Sequence, residues 1–124
     1  MIEKYIGLPY CLHNRFGFNC WAFISLFYAD NFGDTLQDFE IGSGSAFEIA
    51  STFAAAFANG AAGFHKVETP ENNDLAVFHR GNHFHVGIWI DGKILHCSKH
   101  TAGVSYQDIK TAGRGFKGVQ FWRK

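Results

Sequence analysis

Cys20 follows an asparagine and heads a strongly apolar run, Cys20 to Phe32, that Gly33 closes. Asparagine is a preferred N-cap and glycine a preferred stop, so the run reads as a buried helix with the cysteine in its first turn. A thiol there meets unpaired amide groups and the positive end of the helix dipole. Both lower its pKa and favour thiolate, the form that attacks a carbonyl carbon. His85 and His96 lie on either side of an Asp91-Gly92 pair, and imidazole is the side chain best suited to take a thiol proton near neutrality. The chemistry implied is acyl transfer. Cys20 would be the nucleophile, His85 the general base and His96 the group that fixes the base's tautomer and orientation, with the Cys20 backbone N–H as an oxyanion donor.

Positioning these groups requires a hairpin and a helix. Asp-Gly suits a two-residue turn with positive backbone angles, so Phe84 to Ile90 and Lys93 to Ser98 should pair tightly. In that register Ile90 faces Lys93, Trp89 faces Ile94, Ile88 faces Leu95, Gly87 faces His96, Val86 faces Cys97 and His85 faces Ser98. Opposite residues share a sheet face. His85 and His96 then lie on a diagonal with no side chain on Gly87 between them. Val86, Ile88, Leu95 and Cys97 fill the other face, which marks Cys97 as a core thiol. The site closes if the Cys20 helix packs its N-terminus on the His85 face.

Ser45 opens a second helical stretch, with Phe47, Ala50, Phe53, Ala54 and Phe57 at helical spacing before Asn59-Gly60. Further β-type runs are Phe64 to Glu68, Leu75 to Arg80, Gly103 to Tyr106 and Val119 to Arg123. Helices first and sheet second indicate an α+β domain.

The chain has 124 residues, which fits a single domain over 1–124. Eleven basic and eleven acidic side chains with no basic cluster exclude the electrostatic footprint of a nucleic-acid or anionic-lipid binder. The start of the chain lacks a basic segment followed by a long apolar stretch, and no run is long enough to insert in a membrane, so synthesis in the cytoplasm without a signal peptide is expected. Three cysteines, Cys11, Cys20 and Cys97, are an odd number, which leaves at least one thiol free. Cys20, His85 and His96 could instead hold zinc, with His83 or His100 as a fourth ligand. No compact Cys-x-x-Cys or His-Glu-x-x-His spacing supports that reading, so no metal or other cofactor is expected. His13, His65, His79, His83 and His100 read as surface or loop residues.

Gly7-Leu8-Pro9-Tyr10, Phe18 to Ile24, Asn73 to Phe78, His85 to Ile90, Ile94-Leu95-His96 and Gly103-Val104 together, in this order and spacing, resemble the NlpC-type cell-wall cysteine peptidases. The resemblance spans most of the chain. It implies a compact papain-like domain, with N-terminal helices packed on an antiparallel sheet, in which Cys20, His85 and His96 match nucleophile, base and orienting residue. It also implies substrate contacts for Tyr10, Asn19 and Trp21. The activity implied is murein endopeptidase, hydrolysing an amide of the peptidoglycan stem peptide, typically between D-glutamate and the following diamino acid, through an acyl-enzyme on the cysteine. Asn19-Cys20-Trp21-Ala22 stands where many members carry Asp-Cys-Ser-Gly. The tryptophan after the nucleophile and the aromatic last strand look most like peptidases of phage tails, which implies tail proteins as partners and action at the cell wall. A tail docking module with dispensable activity and an injected interbacterial toxin are the alternative settings.

Overall fold

A computed structural model describes residues 2–10, 19–36, 63–81 and 83–124. The second helical stretch expected from Ser45, together with Cys11 and His13, lies outside the described residues. Helix α1 spans Cys20–Phe32 and six strands follow: β1 His65–Val67, β2 Leu75–Arg80, β3 His83–Ile90, β4 Lys93–Ser98, β5 Gly103–Asp108 and β6 Gly118–Arg123. A single-turn helix, α2 (Ile109–Ala112), joins β5 to β6. The strands form one antiparallel sheet in the order β1-β6-β2-β3-β4-β5. This is the α+β architecture that the order of patterns predicts. No helix among the described residues is long and apolar enough to cross a membrane.

Local chemistry sets the element ends. The Asn19 side chain accepts from the Ala22 N–H at 2.8 Å, and Gly33 turns left-handed (φ 68°) to return its N–H to α1. Asp91 (φ 51°) and Gly92 (φ 81°) make the two-residue turn of the β3–β4 hairpin with both angles positive. Its register is the predicted one where the strands pair: Ile90 with Lys93, Trp89 with Ile94, Ile88 with Leu95.

There the ladder stops. The pairs expected beyond it, from Gly87 with His96 to His85 with Ser98, are not part of the sheet, because β3 stays with β2 while β4 stays with β5.

Each face of the sheet carries its own core. Leu75, Val77, Val86, Ile88, Leu95 and Cys97 pack with Trp21, Phe23, Ile24, Phe27 and Tyr28 of α1. The opposite face gathers Ala76, Phe78 and Ile94 under Ala112, Ile109 and Phe116. The body of α1 therefore covers the Cys97 face, and only at its N-terminus, where Cys20 stands, does the helix reach the cleft lined by His85. A helix apolar nearly all round carries no mark of which layer it joins. The N-terminal segment docks on β5 through Val104 N–H to the Leu8 carbonyl and Tyr10 N–H to the Ala102 carbonyl. Gly103 permits this approach, since a Cβ there would stand 2.2 Å from the Leu8 carbonyl oxygen.

Candidate active site

The parting of β3 from β4 brings groups from opposite faces together. Trp89 exchanges both backbone groups with Asn73 and Asp74 on the β2 side. Val86, three residues away along the strand, therefore turns its N–H toward β4. With β4 drawn off, that N–H, together with those of Trp21 and Cys20 itself, acts on the Cys20 thiol and favours its thiolate form. Thus α1 delivers its thiol from one face to the backbone beside His85, whose ring lies on the other.

A cleft of about 740 Å³ opens at this place, and Cys20, His85 and His96 all line it. The His85 Nε2 stands 2.8 Å from the His96 Nδ1. The His96 Nε2 stands 2.8 Å from the Gln107 Oε1, with the Ser105 hydroxyl farther off at 3.4 Å. Gly87 makes the first of these bonds sterically possible, since a Cβ there would lie 2.5 Å from Ile94 Cγ2 and 3.0 Å from His96 Cβ. Phe78 and Phe116 lie 6.2 and 6.1 Å from the His85 ring, nearly parallel to it and 6.0 Å from each other. Cys20 and His85 share the cleft wall; among the described residues no hydrogen bond joins them directly.

Burial dominates the electrostatics. It pushes the Cys20 thiol up to about 11, against the lowering by the three N–H groups. It pushes His85 down to about 3, assisted by the neighbouring His96 and His100, and His96 also falls below its ordinary value. The expected lowering of the thiol pKa is thereby overturned. The helix start supplies donors, but a site closed in by protein on most sides favours the uncharged pair.

Of the residues expected to touch substrate, Tyr10 and Asn19 line the cleft, the latter with its side chain engaged as the cap of α1. Trp21 does not. It is 3% exposed and sets its ring edge-on to Phe64 in the core, so a direct substrate contact is corrected to a packing role. His83 and His100 are exposed and stand at the cleft mouth. Among the described residues no three of His, Cys, Asp and Glu gather to hold a metal ion, and both ring nitrogens of His96 are engaged with protein partners.

Gln107 is the residue the sequence reading missed. It pairs with Ile94 in the β4–β5 ladder, while His96 pairs with Ser105, which puts Gln107 on a diagonal from His96. Ending β5 at Tyr106 left it just outside the strand; the same diagonal rule that joined the two histidines would have found it. Compared with models of known protein families and with curated proteins, the chain matches none.

Proposed function

We propose that this protein is a cysteine endopeptidase of papain-like, NlpC type that hydrolyses an amide of the peptidoglycan stem peptide. The observation that carries this reading is the line of groups in one cleft: a thiol at the start of α1, and lining the same cleft an imidazole backed by a second imidazole and an amide. As the Cys20 sulfur attacks the carbonyl carbon, the thiol proton passes to the other ring nitrogen of His85, Nδ1. The oxyanion then draws on the backbone N–H at the start of α1. Collapse breaks the C–N bond, His85 returns the proton to the leaving amine, and the acyl group stays on sulfur. Water, deprotonated by His85, releases the acid and restores the thiol.

The cleft mouth suits an acidic peptide. Lys99 and Arg114 are exposed there, and no Asp or Glu is among its described lining residues. Stem peptides carry free carboxylates, and a glutamate joined through one of its two carboxyl groups keeps the other beside the bond. The resemblance in the last aromatic strand favours a tail-borne setting at the cell wall, with tail proteins as partners. The test is digestion of purified sacculi by the chain and by Cys20→Ala. Soluble stem-peptide fragments should appear with the first and not the second; equal release by both would discard the nucleophile.

A further inference from the structure

A histidine can serve Cys20 as base only if the nitrogen turned to the thiol carries no proton, and nothing in His85 alone decides this. The decision sits two residues away. His85 uses Nε2 toward His96, which leaves Nδ1 as its other nitrogen. His96 in turn uses Nδ1 toward His85 and Nε2 toward Gln107. A neutral imidazole has one donor and one acceptor nitrogen, so fixing the proton at one end of this chain fixes it throughout. We infer that Gln107 is the positioning residue that sets this direction: its Oε1 accepts from His96 Nε2–H, His96 Nδ1 accepts from His85 Nε2–H, and His85 Nδ1 is left as the lone pair that receives the thiol proton. Turning the Gln107 amide end for end would reverse both bonds and place a proton on His85 Nδ1, where no base could act.

Burial makes the device necessary. His96 is 2% exposed, so solvent offers no ready alternative acceptor, and the Ser105 hydroxyl at 3.4 Å is a poor substitute. Burial also keeps both rings neutral, and only neutral rings have a tautomer to choose.

This inference rests on the reading of Cys20 and His85 as nucleophile and base, but the proton positions can be tested without substrate. Nitrogen-15 NMR of the histidine-labelled full chain should show His85 and His96 both as Nε2–H tautomers. In Gln107→Met, which removes the acceptor at similar size, the His96 tautomer should shift or become mixed. Turnover of stem peptide by that variant should fall roughly tenfold or more, with KM within about twofold. Gln107→Glu provides an acceptor that cannot donate, so it should keep the Nε2–H tautomers and recover turnover at alkaline pH. It should lose turnover on acidification, as the carboxylate draws a second proton onto His96 and forces His85 to receive at Nε2. A proton on His85 Nδ1 in the parent chain, or unchanged spectra and turnover in Gln107→Met, would overturn the inference. Absence of cleavage by every form, parent included, would refute the proposed activity while the spectra still decided the tautomers.

Discussion

Thiol and imidazole share this cleft as neutral groups, since burial pushes Cys20 up to about 11 and His85 down to about 3. A pre-formed thiolate–imidazolium pair would be alkylated readily in mild acid. A neutral pair must wait for the proton to move, so iodoacetamide labelling of Cys20 should rise with pH and show its midpoint far above neutrality; a midpoint below about pH 7 would contradict the neutral pair. His85→Ala should cost roughly a hundredfold or more in turnover, within the range for general-base catalysis. Lys99→Ala combined with Arg114→Ala should raise KM for carboxylate-bearing stem peptides while sparing their amidated forms. An equal effect on both peptides would show that the cations do not read carboxylates.

Among the elements, the β3–β4 hairpin was the most legible, because an Asp-Gly turn fixes register and register fixes faces. The six strands among the described residues overlap the runs that alternation and turn residues predict, with β5 running on past Tyr106 to Asp108. The layer assignment of α1 was not legible, nor was the point where β3 leaves β4. Both depend on what each element packs against, and a local pattern does not encode that. Gln107 was lost to a strand boundary, and α2 to its brevity. Two element-level changes test the arrangement. Gly87→Ala should force Ile94 or His96 aside, costing about 1–3 kcal/mol by overpacking and most of the turnover, since His96 moves with it. Asn19→Ala should cost about 1 kcal/mol through loss of the α1 cap, whereas Asn19→Asp keeps a capping oxygen and most of that stability. Urea unfolding of the three variants measures both.

At the level of the whole molecule, the sheet is tied by Arg123, whose Nε and Nη2 donate to Asp74 at 2.9 and 2.7 Å. Asp74 is 3% exposed, and its carbonyl receives the Trp89 N–H, so one ion pair joins the end of β6 to the start of β2 and to β3. Arg123→Met should lower the denaturation midpoint by leaving that buried carboxylate short of donors. Stability should also depend on pH through the site. Between about 6.5 and about 3 the unfolded chain takes up a proton that folded His85 refuses, so stability falls on acidification through this window. Between about 9 and about 11 the unfolded chain releases a proton that folded Cys20 keeps, so stability falls again on alkalisation. Replacing His85 by Gln, which does not titrate, should flatten the fall on the acid side and extend the plateau toward lower pH.

The unzipping of β3 from β4 has a cost that the proposed chemistry requires. Had the two strands stayed laced for a further pair of residues, the Val86 amide would be spent on a neighbouring carbonyl, and the sulfur would face a closed wall. Cohesion of the sheet and reactivity compete for the same donor, so substitutions that knit this seam more firmly should yield a hardier molecule and an idle one.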